Sequence, residues 1–316
     1  MTQTTQLPQR EGQTFAGSSR LATYASFVKL PHTVFALPFA LVGVTLASYR
    51  NAVTVSMVGW IVLAFTAARF AAMGFNRIVD REYDARNPRT ASREIPRGAL
   101  SVREAWIAVA ISSVVFIVAA GELNPLCLML SPIALAWIFF YSFTKRFTSF
   151  AHVVLGLGLS IAPVGGYLAV AGTWSPRWWM LCALAIAVAS WVGGFDILYA
   201  LPDAEFDRAN ALHSIPARLG IAGAIAVSRV LHTLTVAMLI VTGLGAGSMA
   251  IYFAGVCAAA LVLAYEHSLV KAHDLSRLGA AFFTLNGVMS IMFFLFVLAE
   301  RLYAAFWFRT ALLRGA

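Results

Sequence analysis

The chain has 316 residues, 60% hydrophobic and 12% charged, with 23 Lys+Arg against 14 Asp+Glu; its mean hydropathy is +0.79. A soluble domain carries about 25% charged residues, so this composition excludes a water-soluble globular protein. Apolar runs long enough to cross a hydrocarbon core of about 30 Å recur along the whole length. The basic excess therefore points to anionic lipid and the positive-inside rule, and not to nucleic acid.

Residues 1–20 are polar and Ser/Thr/Gln-rich, with no hydrophobic stretch before Val28, which argues against a cleaved signal peptide and predicts a short cytoplasmic tail over 1–30. Nine spans follow, at about 31–49, 55–74, 104–121, 125–143, 152–171, 178–195, 222–244, 248–265 and 281–299, leaving 300–316 as a C-terminal tail. Runs of this length specify helices, since a barrel strand needs only about 9–11 residues. The expected fold class is all-α, a polytopic membrane protein with one transmembrane domain over 31–299. With the N-terminus inside, sixteen Lys and Arg fall on inner segments and five on outer ones, a bias that sets the orientation. The basic C-terminal tail, placed outside by nine spans, runs against it. The inner segments 75–103 and 196–220 are long and polar, so chemistry on a polar group belongs to the cytoplasmic side.

Two acidic groups stand there. Asn76, Asp80 and Asp84 are spaced i, i+4 and i+8 directly after the second span, which on one helix makes a single stripe. Asp203 and Asp207 are again four apart where the sixth span ends, and Asp196 lies seven residues earlier, about two turns. Each carboxylate alone reads equally well as a solvated charge paired with a nearby arginine. Two stripes abutting spans on one membrane face favour shared magnesium, which takes oxygen ligands from a few carboxylates plus substrate phosphates. Carboxylates close to lipid cost free energy and tend to mark function.

At these residues the chain resembles the UbiA superfamily of intramembrane aromatic prenyltransferases. The first stripe resembles its NxxxDxxxD motif. Asp196, Tyr199, Ala200, Asp203 and Asp207 are similar to its second aspartate element. Arg69, the loop Arg89–Gly98 and the run Tyr141–Arg146 also fit, so the resemblance covers roughly residues 25–300. It implies helices around a central cavity under a cytoplasmic cap, in a plasma (cell inner) membrane protein whose active site faces the cytoplasm. Its partners would be a prenyl diphosphate, an aromatic carboxylate acceptor and the bilayer. Magnesium would bridge the diphosphate to Asn76, Asp80, Asp84, Asp196, Asp203 and Asp207. Bare carboxylates would otherwise repel that anion. Lys145 and Arg146, with Arg81 and Arg93, would neutralise the leaving group. Asp80, Asp84, Asp203, Asp207 and Lys145 would form the catalytic set. Arg69, within the second span, costs about 2.5–3.5 kcal/mol there unless it faces a cavity or a partner. It reads either as half of a buried ion pair or, by the resemblance, as the clamp on the acceptor's carboxylate.

The resemblance implies transfer of a polyprenyl group to a 4-hydroxybenzoate-like acceptor in quinone biosynthesis, or to a dihydroxynaphthoate in the futalosine menaquinone route. A cation-coupled transporter is the alternative of another class, although its carboxylates would lie near the midplane. Cys127, Cys182 and Cys257 sit in apolar segments and read as packing residues. His152, His213, His232, His267 and His273 lack metal-ligand spacing and read as solvated or packed side chains. Glu266 and Asp274 read as a solvated loop, and Gly156, Gly158, Gly165 and Gly166 as points of close helix approach. Pro163 is a candidate kink.

Overall fold

The computed structural model describes residues 19–29, 33–280 and 284–314. Most of the expected N-terminal tail, and the starts of the first and ninth expected spans, lie outside the described residues. The chain is all-helical. In order come α1 (Arg20–Phe27), α2 (Thr33–Ala47), α3 (Val55–Val79), α4 (Arg81–Arg86), α5 (Val102–Leu123), α6 (Pro125–Thr144) and α7 (Ala151–Ala171). Then follow α8 (Trp178–Tyr199), α9 (Ala204–Ala209), α10 (Ile215–Ala246), α11 (Ala250–Leu269), α12 (Leu278–Ala280) and α13 (Asn286–Arg314). Among the described residues, eight helices are long and apolar enough to cross a membrane, and α2 contributes a shorter apolar helix.

Local chemistry sets the boundaries. Ser101 and Glu104 close a capping box at the start of α5. Asn124 caps α6, with Pro125 at a first-turn position where its missing N–H costs nothing. Several helices outrun the expected spans. α3 continues to Val79 and α8 to Tyr199, so Asn76 and Asp196 sit inside helices. α13 runs through the expected tail to Arg314. α10 bends at Gly220, whose φ of 70° suits glycine. Pro163 does not interrupt α7, which is one helix from Ala151 to Ala171.

α8 is buried on all sides along most of its length, as expected of an apolar helix at the centre of a bundle. α7 lies against it and α2 against α7. A Cβ at Gly156 would collide with the carbonyl of Ala189 on α8, one at Gly166 with that of Ala40 on α2, and one at Gly43 with that of Pro163 on α7. Two of the four expected close-approach glycines thus bring backbones together. A Cβ at Gly158 would make ordinary contact with the side chains of Trp137 and Ile138, and one at Gly165 would meet nothing. Leucines, isoleucines and valines on the outer faces of α5, α6 and α11 remain exposed, as a lipid-facing surface requires.

A buried polar chain crosses the bundle behind α8. Trp191 donates from Nε1 to Asn286 Oδ1 (2.7 Å), and Asn286 Nδ2 donates to Glu266 Oε1 (3.0 Å). His232 Nδ1 lies 3.0 Å from His267 Nε2. Glu266 is thus not a solvated loop residue: it is 1% exposed inside α11. Asp274 does lie in an exposed turn, where its carboxylate accepts from the Ser276 N–H at 3.0 Å.

Candidate active site

Neither acidic group is one continuous helix. α3 ends at Val79, Asp80 takes φ −91° and ψ 3°, and α4 starts at Arg81. Likewise α8 stops at Tyr199, Leu201–Asp203 form a 3-10 turn, and Asp207 lies on α9. The two breaks fold both groups over one end of a cavity of about 670 Å³. Of the residues singled out from sequence, Arg69, Asn76, Asp80, Asp84, Arg93, Lys145, Arg146, Asp196, Asp203 and Asp207 line it. Arg81 does not. The break at Asp80 turns Arg81 outward, where it donates to the Ile78 carbonyl at 3.0 Å and pairs with Glu82 at 3.1 Å.

The loop between α4 and α5 lids the mouth and is pinned to both acidic groups. Its buried Glu94 pairs with Arg77 of α3 at 2.8 Å. Arg93 donates to Asp84 Oδ1 at 2.7 Å. Arg89 donates from Nε to Asp203 Oδ1 at 2.9 Å and from a second nitrogen to Oδ2, a two-pronged grip. Asn87 adds a third donor to Asp203 at 3.0 Å. Arg89 also stands 5.0 Å over the ring of Tyr199, whose hydroxyl accepts from Lys29 at 3.1 Å. Lys29, Asn87, Arg89 and Tyr199 were not among the sequence candidates for the site. The resemblance of the 89–98 loop and of Tyr199 was their one signal.

The electrostatics differ from group to group. Burial pushes Asp80 up to about 6, and Asp84 adds to that against the pull of Lys145, Arg93 and Arg146. Asp203 is also raised by burial, but Arg89 outweighs this, with help from Lys145 and Asn87, and holds it below the usual carboxylate range. For Lys145, burial opposes the charge, and Asp207, Asp196, Asp203 and Asp80 together overcome it, so its ammonium is held above the ordinary lysine range. Lys145 is the cation set among both acidic groups. Arg146 reaches Asp80 at 3.7 Å from an exposed position.

Among the described residues, no three His, Cys, Asp or Glu side chains gather closely enough to hold a metal by themselves. The donor set still fits a cation completed by ligand oxygens: Asp84 Oδ2 and Asp207 Oδ2 are buried and make no hydrogen bond. Asn76 donates to Asp80 Oδ2 at 2.9 Å, which leaves its own carbonyl oxygen as an acceptor. Asp196 stands apart, with Oδ2 2.7 Å from His152 Nδ1.

Deeper in, the cavity becomes apolar, lined by Phe65, Phe116, Leu123, Leu130 and Leu159. Arg69 faces this part from α3. Its Nε is buried and makes no hydrogen bond, and among the described residues no carboxylate pairs with it. The site therefore offers a polar mouth that can bind an anion through cations, one unused buried guanidinium group, and an oily interior.

Known proteins share this fold and part of this sequence. The model of the UbiA prenyltransferase family matches residues 36–298. A 4-hydroxybenzoate octaprenyltransferase of Xanthomonas campestris pv. campestris is 33% identical over 234 residues, covering 72% of this chain and 76% of that one. The enzyme of the same description from Alkalilimnicola ehrlichii is 30% identical over 232 residues, covering 73% and 78%. Among solved structures, the apo UbiA homologue from Aeropyrum pernix K1 superposes with a TM-score of 0.78 at 35% identity, covering 85% of this chain and 98% of that one. A UbiA homologue from Archaeoglobus fulgidus bound to DMAPP and Mg2+ shares the fold, with a TM-score of 0.70 at 19% identity and coverage of 88% and 99%.

Proposed function

The chain belongs to the UbiA prenyltransferase family, and on that premise we propose that it transfers a polyprenyl group from a prenyl diphosphate to an aromatic carboxylate of the 4-hydroxybenzoate type, in quinone biosynthesis. The observation that carries this reading is the convergence of two acidic groups and Lys145 on the mouth of a cavity in which Arg69 keeps an unpartnered Nε. The relatives described as 4-hydroxybenzoate octaprenyltransferases support the choice of acceptor. The excess of Lys and Arg on the same side as the aspartates supports a cytoplasmic mouth.

In this reading Asp80 and Asp84, with the Asn76 carbonyl, and Asp203 and Asp207 would hold the magnesium that binds the diphosphate. When bound, magnesium neutralises the diphosphate and favours its departure as a Lewis acid. Lys145 supplies a fixed positive charge where negative charge develops on the leaving group, and Arg93 and Arg146 flank it. The lid loop keeps water from the allylic carbon, which becomes cation-like as the carbon–oxygen bond breaks. The deep leucines and phenylalanines accommodate the prenyl tail. Arg69 grips the acceptor's carboxylate and turns the ring carbon beside the hydroxyl toward that allylic carbon. No side-chain nucleophile is needed.

Radiolabelled prenyl diphosphates, incubated with the purified protein, magnesium and either 4-hydroxybenzoate or a dihydroxynaphthoate, test the reading. The expected result is a prenylated 4-hydroxybenzoate identified by mass spectrometry. Product from the naphthoate alone would reassign the acceptor, and no product from either would refute the transfer. Arg69→Ala should raise the acceptor KM far more than the prenyl diphosphate KM. Equal effects on both would remove the clamp.

A further inference from the structure

Glu266 of α11 is buried behind α8, and its two oxygens are not equivalent. Oε1 accepts from Asn286 Nδ2 at 3.0 Å, and Asn286 Oδ1 accepts from the indole of Trp191 at 2.7 Å. Oε2 is buried with no hydrogen-bond partner, 3.9 Å from His232 Nδ1. The two rings beside it are already committed. His232 Nε2 lies 3.3 Å from the carbonyl oxygen of Trp191, which only accepts, so this nitrogen carries the hydrogen and Nδ1 is bare. His267 Nε2, 3.0 Å from that bare nitrogen, donates to it, and both rings are then neutral. Arg229, also on α10, is exposed, and its charge acts on His267. Asp196 of α8 is turned to His152, and Glu300 of α13 to the start of α11. Among the described residues, no Lys or Arg pairs with Glu266. An ionised carboxylate here would be a buried charge without a partner, at a high cost inside an apolar bundle. The set is neutral when Glu266 carries a proton on Oε2.

This set reaches the cavity through α8. The ring of Trp191 stands 5.0 Å from that of Phe195, about one turn further along the helix, and Phe195 lines the cavity. Trp191 is gripped twice, at its carbonyl from α10 and at its indole from α13, and the Gly194 carbonyl accepts from Ser228 of α10 at 2.8 Å. We propose that Glu266 and Asn286 are positioning residues for the apolar wall of the cavity, and that the proton on Glu266 is the catch that keeps them in place. While it is bound, the carboxyl steadies Asn286, and Asn286 steadies Trp191 and, behind it, Phe195. Once it is lost, the bare charge is relieved only by admitting water between α11 and α13, which parts Asn286 from Trp191 and slackens the wall. The prenyl chain then binds less tightly. That last effect rests on the prenyl-transfer reading above, whereas the clamp on the helices does not.

The test compares the full chain, in detergent with magnesium, with Glu266→Gln, whose amide stays uncharged at every pH and can still accept from Asn286. Between about pH 6.5 and about pH 9 the unfolding temperature of the wild type should fall relative to that of the variant. The sign follows because the contribution is present while the proton is bound and is lost as rising pH strips it. Asp80, which also titrates, is common to both proteins and cancels in the comparison. Over the same range the KM for a prenyl diphosphate should rise about fivefold in the wild type relative to the variant, with kcat staying within about twofold between them. Asn286→Leu, which cuts the chain to Trp191, should raise that KM about tenfold at every pH and leave kcat within about threefold. A partly misfolded protein loses kcat and keeps its KM, so a fall in kcat alone in folded Asn286→Leu overturns the link to the wall. Parallel pH profiles in the wild type and Glu266→Gln overturn the proton catch. So does a Glu266→Gln chain that fails to fold, because the amide then does not stand in for the protonated acid. If the wild type forms no prenylated product, the transfer reading itself fails, and the difference in unfolding temperature still decides the clamp.

Discussion

Asp80 and Asp203 occupy matching places, each immediately before the short helix that follows a long one and each facing the same cavity mouth, yet their surroundings give them opposite tendencies. Asp80 has an amide neighbour, Asn76, and a distant, exposed Arg146. Burial and Asp84 therefore dominate and raise it to about 6. Asp203 receives two nitrogens of Arg89 and the amide of Asn87, which overcome the same burial. One carboxylate holds its proton more tightly than an ordinary carboxylate, and the other is kept charged by the lid. Two motifs that look alike in sequence thus differ in their ties: Asp203 is gripped by the lid through Arg89 and Asn87, and Asp80 is not.

That division can be broken most severely by deleting each carboxylate. Asp80→Ala and Asp203→Ala should each lower kcat/KM on the order of a thousandfold, measured by product formation. Stability separates them. Asp203→Ala removes the carboxylate that pairs with buried Arg89 and should cost about 3–5 kcal/mol in unfolding free energy. Asp80→Ala should cost none of this and, without magnesium at pH 8, should unfold at a higher temperature than the wild type. Equal losses in the two variants would refute the contrast.

The pH dependence follows from the same difference. The folded chain binds the Asp80 proton more tightly than the unfolded chain, so this group's contribution to stability falls as pH rises from about 3.8 to about 6. For Asp203 the sign reverses: its stabilisation is present above the ordinary carboxylate range and is lost as pH falls through its depressed value. Magnesium needs the deprotonated carboxylate. Titration by calorimetry should therefore show affinity weakening by up to about tenfold per pH unit below about 6, and Asp80→Asn should flatten that slope. The smallest effect belongs to Asn87→Ala. It removes one donor from Asp203 and should cost about 1.5–3 kcal/mol in chemical unfolding.

What could be read from the sequence was what is local. The apolar runs gave nine helices, and the four-residue spacings gave aspartates that reach one place. The breaks at Asp80 and Ala200 were not legible, because Asn76–Asp84 and Asp196–Asp207 contain no glycine, and the proline at 202 sits where either a turn or a first helical turn accepts it. Those breaks decide that Arg81 points away while its neighbour Asp80 faces inward. Long-range partners were equally hidden. Arg89 meets Asp203 across 114 residues, and His152 meets Asp196 across 44. Glu266 read as a loop residue because it lies near a span end; its burial depends on Asn286, which arrives from another helix.

The backbone contacts of Gly43, Gly156 and Gly166 have a consequence for how such a cavity can change over evolution or by design. They weld α2, α7 and α8 into one slab whose spacing no side chain can adjust, since the first added carbon would strike a carbonyl. Room in the cavity therefore changes through the side chains that line it, among them Ala64, Ala68 and Ala72 of α3 and Ala120 of α5, the smallest side chains that a helix favours. Enlarging one of these alanines at a time would shorten the usable depth in steps while the slab keeps the polar mouth in register. Substitutions at those four positions therefore change the depth of the cavity without disturbing the slab.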